Sequence, residues 1–552
     1  MKWVLACPEL DVPPLNNFIH YWAKQLDLHP LVIKHLFIHG INNEEKIFQF
    51  LYPSINELHD PFQLNDMKKA VIRIIKALQN KERILIFGDY DVDGITASSI
   101  LHKGLRFFGA EVEVRLPLRS EGYGLSPQII EQIPPAVSLV ITVDNGSSAH
   151  PAMIAAKQRG LDVIVTDHHE IIGHFPDCHA FINPKRSDST YPFSSLCGAG
   201  VALKLVQALL LAAQRAWDKH IWDYIELAAL GTIADMMPLI DENRILCSLG
   251  LMKMNSCPHP SVRALFQQLN LSNVDSTVIG FQIAPIFNSC GRIGDPNEAV
   301  QLLINEKTDA AELSTFISRN QKRKDLTSLQ FEMAEEQIMA NRTLTQKVIA
   351  VHGDFHDGIL GLLASRIAEK YQKPAVVISY SGVGSARSVQ GTNYSIIDLL
   401  TRSSSFLKKF GGHQTAAGFS IQTDAKVIYE FLSSLSELTK DEPELESKKE
   451  YLSHVLFSDF PFGLLSDFFS LEPFGLGNPK PVFCSQPSPL NNIRNFGSDH
   501  RHLEIQANSR KGVGFNLGHY AGDFRRKKPH FLYSIHSFHQ KSFRIEDVQP
   551  HV

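Results

Sequence analysis

The amino-acid sequence predicts an α/β protein whose centre is a mostly parallel, doubly wound sheet, and three observations predict it. Short apolar runs recur as ILIF (84–87), VEVRLPL (112–118), LVITV (139–143) and VIVT (163–166). Helix-length segments such as 98–109 and 150–160 separate them, and that alternation is the signature of parallel strands with crossover helices. Acidic and histidine clusters follow these runs, at the strand ends where open α/β sheets gather ligand-binding side chains.

Before the sheet, residues 1–60 are punctuated by Pro and Asn and carry short amphipathic pieces such as EEKIFQFL (44–51). Residues 67–81 place apolar side chains at helical spacing. The stretch VALKLVQALLLAA (201–213) is interrupted by Lys204 and too short to span a bilayer, so it reads as a buried helix. Residues 305–341 contain no Gly or Pro. Leu313, Phe316 and Ile317, then Leu326, Leu329 and Met333, fall at helical spacing, which predicts one connecting helix of roughly 50 Å. A second α/β unit over 345–437 starts at VIAVHGDF (348–355) and contains GSARS (384–388) and FGGHQTAAGF (410–419). The polar run 436–449 reads as a linker. Alternating runs at 502–507, 531–538 and 543–548 predict a small antiparallel barrel over 450–552.

Composition bounds the rest. With 552 residues, 44% hydrophobic and 20% charged, the chain needs two to four domains and is ordinary for a globular protein. Its seven cysteines form no CxxC pair, which favours a reducing compartment, read here as the cytoplasm, over a disulfide or structural-zinc framework. The start, MKWVLACP, has too short an apolar run for a signal peptide. Net charge is −4, so any nucleic-acid binding must use a local groove.

Five clusters carry the chemistry. GDYDVDG (88–94) supplies Asp89, Asp91 and Asp93, with Gly94 read as allowing a sharp turn. It is not an EF-hand, because the twelfth position from Asp89 is Ile100 and a strand precedes it. VDNG (143–146) supplies Asp144, TDHH (166–169) supplies Asp167, His168 and His169, and IADMM (233–237) supplies Asp235 on or beside a helix. The fifth, NSCGRIGDP (288–296), is read as closing another strand-like run and supplies Arg292. Taken singly, an Asp-Asn-Gly is a turn, adjacent histidines are surface residues and Asp235 is a helix cap. Taken jointly, oxygen ligands with imidazole suit Mn²⁺ or Mg²⁺ and a two-metal phosphoesterase site.

DYDVDG, VDNG, DHH and IAD together resemble the successive motifs of the DHH phosphoesterase superfamily, and GGHQTAAGF resembles the signature of its companion DHHA1 domain. EGYGL (121–125), CGAGVALK (197–204), HDGILGLLASR (356–366) and LEPFGLGNPKP (471–481) bring the pattern closer to the RecJ family of 5′→3′ single-strand exonucleases. Ser289-Cys290, where that family usually has Ala-Ala, and Phe355 are small departures. The resemblance implies a DHH catalytic domain over 61–304, a DHHA1-like substrate-binding domain and a C-terminal OB-like domain. It implies two ions held by Asp89, Asp91, Asp93, Asp144, His168 and Asp235, with Asp144 bridging. It assigns catalytic roles to His169, facing the scissile phosphate, and to Asp144 and Asp167, the latter orienting an imidazole. Arg119, Arg292, Arg366, Ser385, Arg387, Gly411, Gly412 and His413 become substrate contacts. The basic runs 322–324 and 525–528 matter only if they line the strand's path. The implied partners are single-stranded DNA, a single-strand-binding protein and a RecQ-type helicase, with no membrane and a monomeric chain. Two other readings stand beside this one: a DHH phosphodiesterase for short oligonucleotides or cyclic dinucleotides, and a non-catalytic replication scaffold. The C-terminal domain speaks against the first and the complete ligand set against the second.

Overall fold

The structure is a computed structural model that describes residues 2–122, 124–305, 310–389, 391–392, 394–443, 448–486, 490–497, 500–526, 529–537 and 542–549. Tyr123 of the EGYGL motif, the start of the connecting segment at 306–309, and Lys527-Lys528 of the basic run lie outside the described residues. The chain forms two compact units. The larger comprises 3–285, 296–309 and 450–552; the smaller comprises 1–2, 286–295 and 310–449. The domain expectation of 61–304 therefore differs at 286–295, which belongs to the smaller unit.

The larger unit is organised by a five-stranded parallel sheet. Its strands are β1 (Arg83–Phe87), β2 (Glu111–Arg115), β3 (Val137–Val143), β4 (Asp162–Thr166) and β5 (Ala180–Ile182), in the order β2-β1-β3-β4-β5. The first four are the apolar runs of the sequence. β1, β3 and β4 are apolar at nearly every position because both faces are covered, whereas the edge strand β2 alternates Glu with Val and stays partly exposed. On one face Leu85, Phe87, Val140, Val163 and Val165 pack against the helices Pro127–Gln132 and His150–Gln158. The helices α1 (Val92–Phe107), α2 (Gly198–Ala212) and α3 (Ile225–Ala234) pack against one another beside the sheet, followed by α4 (Asp241–Ser256). Helix α2 is buried almost throughout, Lys204 included. Lys204 is neutralised by an equally buried Glu242 at 2.8 Å, whose carboxylate also accepts from Tyr191 Oη and from the backbone of His59.

Residues 1–60 do not stand apart. Their helices Leu15–Leu26, Pro30–Ile38 and Glu44–Leu51 share one hydrophobic core with the C-terminal domain: Trp22, Val32, Ile33, Leu36 and Ile47 pack with Phe457, Phe460, Phe468, Phe483 and Tyr533. That domain is a seven-stranded sheet ordered Ser453–His454, Val482–Ser485, His530–Ser537, Ser542–Gln549, Arg510–Gly514, His502–Ala507 and Asn492–Phe496. The sequence predicts a small antiparallel OB-like barrel; among the described residues the sheet is open and two of its pairings are parallel. Its first strand is two residues long, which offers too short a ladder to close the circle.

The smaller unit is a mixed five-stranded sheet in which Leu407–Gly412 and Ala416–Ile421 form an edge hairpin beside Val383–Arg387, Ala375–Ser379 and Ile349–Gly353. Alternate side chains serve two cores. Ile349, Val351 and Val377 face Phe331 and Ile338 of α5 (Ala310–Ala340) and the helix Leu360–Tyr371; Val376 and Ile378 face the helices Ile396–Arg402 and Ala425–Thr439. Helix α5 is about 46 Å long at 1.5 Å per residue. Two expectations are corrected here. Arg292 sits in the helix Ala284–Ile293 rather than after a strand, and Ser436–Thr439 of the expected linker are helical because Leu435 and Thr439 are buried. The apolar run before Arg292 has no period that separates strand from helix, and composition alone hid the helix end.

Candidate metal centre

Strand ends and helix starts bring the acidic residues together. After β1 the chain turns through Asp89 into α1. Asp91 caps that helix, its Oδ1 accepting from Gly94 N at 3.0 Å, and Asp93 lies in the first turn. Gly94 is needed for closeness rather than for a turn: a Cβ there would stand 2.4 Å from Asp89 O. Asp144 follows β3 in the left-handed region at φ 61. Asn145 holds this corner by donating to Phe87 O at 3.2 Å and Val143 O at 2.9 Å, tying the ends of β1 and β3. The start of α2 presses against Asp144, where a Cβ on Gly198 would lie 2.5 Å from its Cβ. Asp93 accepts from the amides of Gly198 and Ala199 at 2.6 and 2.8 Å, at that helix's positive N-terminus. Asp235 terminates α3.

His168 Nε2 lies 3.0 Å from Asp144 Oδ1, 3.6 Å from Asp93 Oδ2 and 3.6 Å from Asp235 Oδ2. It is buried, and neither of its ring nitrogens makes a hydrogen bond among the described residues. His169 turns its Nδ1 to Asp167 Oδ1 at 2.8 Å, with Asp144 Oδ1 at 3.8 Å. Asp167 touches this pair from behind. Its Oδ1 also accepts from the His168 and His169 amides and its Oδ2 from Ser147 N.

Three groups of ligand atoms result, each within 4.8 Å of one another: Asp89, Asp91 and Asp144; Asp144, His168 and His169; Asp93, His168 and Asp235. Asp144 and His168 each belong to two of them. Burial, reinforced by neighbouring carboxylates, pushes Asp89, Asp144 and Asp235 well above the ordinary carboxylate range, and Asp93 above it. Burial pulls His168 down to about 4, despite the charge of Asp93. Burial opposes both members of the second pair, yet the hydrogen bond and charge of Asp167 raise His169 to about 9, and His169 in turn holds Asp167 low. The centre is thus a buried excess of carboxyl groups, pushed toward their protonated forms by burial and by one another, around a neutral imidazole whose nitrogens have no hydrogen bond among the described residues. The charged forms of such buried groups are stabilised by cations. Carboxylate oxygens with one or two imidazoles fit Mn²⁺ or Mg²⁺ better than a thiolate-seeking metal.

The other sequence-predicted residues fall in two places. Arg119 is beside the centre, its guanidinium 4.6 Å above the Tyr90 ring. The rest lie in the smaller unit. Arg387 donates to Ser385 Oγ at 2.9 Å, next to the Gly411–Gly412 hairpin, where Gly418 pairs with both Gly411 and Ser385. His413 closes that hairpin through its amide on Ala416 O. Arg292 donates to Gly358 O at 3.2 Å. Arg366 stacks over Phe331 at 4.2 Å and reaches Ser328 of α5. Of the basic runs, Arg323 is bound to Asn320 and Arg525 to Ile493 O. Sequence reasoning missed Asn183, buried after β5, which donates to His169 O at 3.0 Å and Ser147 Oγ at 2.9 Å. The only signal was Asn-Pro at 183–184, which reads as a turn.

Residues 83–232 match the DHH family, N-terminal domain, residues 343–441 the DHHA1 domain and residues 453–542 the RecJ OB domain. The chain is 32% identical over 534 residues to the single-stranded-DNA-specific exonuclease RecJ of Bacillus subtilis, covering 94% of this chain and 66% of that one. It is 33% identical over 467 residues to RecJ of Dickeya dadantii, covering 79% of this chain and 80% of that one. The crystal structure of RecJ in complex with Mn²⁺ from Thermus thermophilus superposes with a TM-score of 0.82 at 25% identity, covering all of this chain and 80% of that one. No helix among the described residues is long and apolar enough to cross a membrane. The motifs that converge on the buried carboxylates and the three matched domains, in this order, lead to one assignment: the chain belongs to the RecJ family of single-stranded-DNA-specific exonucleases.

Proposed function

We propose that this chain removes 5′-mononucleotides stepwise from the 5′ end of single-stranded DNA with two divalent cations held by its buried carboxylates. The observation that carries the reading is the sharing of Asp144 and His168 between ligand groups. That sharing would let one carboxylate serve two ions and one imidazole serve the second. Asp89, Asp91 and Asp144 would hold one ion; Asp93, His168, Asp235 and Asp144 the other. Such ions supply a hydroxide at neutral pH and neutralise charge on the phosphate.

The chain's own residues do the rest. Asp167 keeps His169 protonated, so that a cation faces the scissile phosphate and can share a proton with its oxygens. Asn183 and Ser147 fix that pair from behind. Arg119, laid on Tyr90, meets the strand's terminal phosphate. Ser385, Arg387, Arg292, Arg366 and the Gly411–His413 hairpin contribute phosphate contacts from the smaller unit, Arg by charge and glycine by close backbone approach. The C-terminal domain holds the strand further along by stacking and charge. In the cell we place this activity in the cytoplasm, in DNA repair and recombination, on strands opened by a RecQ-type helicase and covered by a single-strand-binding protein, with the enzyme a monomer. The RecJ relatives, named single-stranded-DNA-specific exonucleases, support the activity from which this setting is drawn.

A single assay tests the core of the reading. Oligonucleotides labelled at either end, single- or double-stranded, are incubated with Mn²⁺, Mg²⁺ or EDTA. Mononucleotide release from the 5′ label, on single strands and only with metal, is expected. Release from the 3′ label, or metal-independent cleavage, would refute it.

A further inference from the structure

The larger unit contains a cavity of about 660 Å³ that the reading above leaves unused. Its walls are chain neighbours of two cluster residues. Glu170 directly follows His169, and Met237 and Pro238 follow Asp235. The facing wall is the loop after β5, with Lys185, Arg186 and Ser189. The cavity therefore adjoins the metal centre and has the volume of a site for a small ligand.

Its two cations differ. Arg186 is committed to the fold: it donates to Asp66, Asp188 and Phe181 O and lies 4.7 Å over the Phe175 ring. Lys185 has one described partner, Glu170 at 3.0 Å, whose side chain is 59% exposed. An ion pair with so exposed a member contributes little to folding and is readily exchanged for another anion. Both walls are nonetheless fixed. The Lys185 amide donates to Asn183 Oδ1 at 2.8 Å, and Asn183 in turn holds His169 O. Opposite, Leu239 N donates to Leu476 O at 2.7 Å, which anchors the Met237–Pro238 wall on the loop 471–481. The positive charge of Lys185 is felt at both His168 and Asp235.

We infer that this cavity is a phosphate subsite beside the metal centre, in which Lys185 exchanges Glu170 for a phosphate of the DNA strand or of the released nucleotide. The inference rests on the exonuclease reading, since it is the phosphodiester substrate that brings phosphate to this place. It also assigns Glu170 a role: its carboxylate competes with phosphate for Lys185, so the two side chains act on ligand affinity with opposite sign.

That opposition is the test. Wild-type, Lys185→Gln and Glu170→Gln proteins are compared in steady-state cleavage of 5′-phosphorylated oligo(dT) of several lengths with Mn²⁺, and with dTMP as inhibitor. Lys185→Gln is expected to raise KM, or the inhibition constant of dTMP, about five-fold, the scale of one part-exposed charge contact, and to change it more than kcat. Glu170→Gln should move the same constant the other way. A KM effect confined to longer strands, with dTMP inhibition unchanged, assigns the subsite to the strand. An effect on dTMP inhibition assigns it to the product. Unchanged constants in Lys185→Gln, or equal changes of the same sign in both variants, would reduce the pair to a structural contact and overturn the inference. Calorimetric titration of dTMP and of a nuclease-resistant phosphorothioate (dT)₁₂ reads the same site without turnover. Lysine-dependent binding by a protein that cleaves nothing would therefore refute the exonuclease reading and not the subsite.

Discussion

Replacing Asp144 by Asn should make the metal-free protein more stable while removing its response to metal and its turnover. Asp144 is buried, and its ligand oxygen lies within 4.8 Å of those of Asp89 and Asp91. Two unit charges at that separation repel by about 3.5 kcal/mol at an effective dielectric near 20. The native protein relieves part of this by holding Asp144 protonated well above the usual range, driven by burial and then by Asp93 and Asp91. An acid raised in this way costs stability progressively as pH rises through its folded pKa. The amide keeps the shape and removes the charge, so a gain on the order of 1–3 kcal/mol is expected at neutral pH. With a cation the sign reverses. A ligand at one hundred times its Kd stabilises the wild type by about 2.7 kcal/mol, and the variant has lost a ligand common to two of the three groups. Thermal melts of both proteins with EDTA and with Mn²⁺ measure this, alongside cleavage of single-stranded DNA, where a loss of about 4 kcal/mol is a thousand-fold. A metal-free variant that melts below the wild type, or one that keeps both its Mn²⁺ shift and its turnover, would show that Asp144 is not held against like charge for a metal.

Four further outcomes follow from named contacts. His168→Ala should weaken Mn²⁺ binding and turnover together, whereas His169→Ala should lower turnover more than binding, because His169 is turned to Asp167; equal loss of affinity in calorimetric titrations would refute that division. Glu242→Gln should cost about 3–5 kcal/mol by leaving Lys204 buried without its counter-charge, and Lys204→Met in the same chain should recover most of it in chemical denaturation. His35, buried and pulled down to about 3 by burial and then by His39, should be lost as a stabilising group as pH falls below its ordinary value of 6.5. A depressed histidine favours folding only above its unfolded pKa, so the melting temperature should fall toward pH 5 in the wild type and fall less in His35→Leu. Removing residues 450–552 should expose the N-terminal helices and cause aggregation, while removing 1–51 as well should restore solubility and retain cleavage of very short oligonucleotides; a soluble, monomeric protein lacking 450–552 alone would show the two segments to be independent.

The parallel sheet and its clusters were legible because the physics that builds them is local. Ile84–Phe87, Leu139–Val143 and Val163–Thr166 are buried throughout and apolar at every position but Thr142 and Thr166, as suits strands covered on both faces, and the aspartates follow at once. β5 was not legible: Ala180–Ile182 is three residues long and has no period. Asn183 and Ser147 were invisible for a related reason, since a polar residue in a turn carries no sign of the partner it meets across the sheet. The split between His168 and His169 came from the resemblance alone, because adjacent residues differ only in where the backbone points them and patterning does not tell them apart. Closure of the C-terminal sheet and the fate of residues 1–60 depend on pairing and packing between segments hundreds of residues apart, which local patterning does not encode.

That long-range packing has a consequence for the site. Arg244 of α4, buried and stacked 3.4 Å over the Phe50 ring, donates to Phe50 O in the N-terminal helices and to Leu471 O and Glu472 O at the start of the loop 471–481. Asn478 ties that loop to itself through Leu471 O and Pro473 O, and Ser276 donates to Phe474 O. The loop then meets Leu239, four residues after Asp235: Leu476 O accepts its amide, and a Cβ on Gly475 would lie 2.8 Å from its side chain. The segment that carries Asp235 out of α3 is therefore set by contacts from the C-terminal domain, and that domain by the N-terminal helices. The LEPFGLGNPKP motif has a physical reason in this chain: its two glycines, Gly475 and Gly477, let the loop approach residues 238–240, and Asn478 holds the approach in place. A strand held by the C-terminal domain, as proposed, would act on a body that is continuous, through this loop, with a residue of the buried acidic cluster. Substitutions in 471–481 should for that reason be read for metal affinity as well as for DNA affinity.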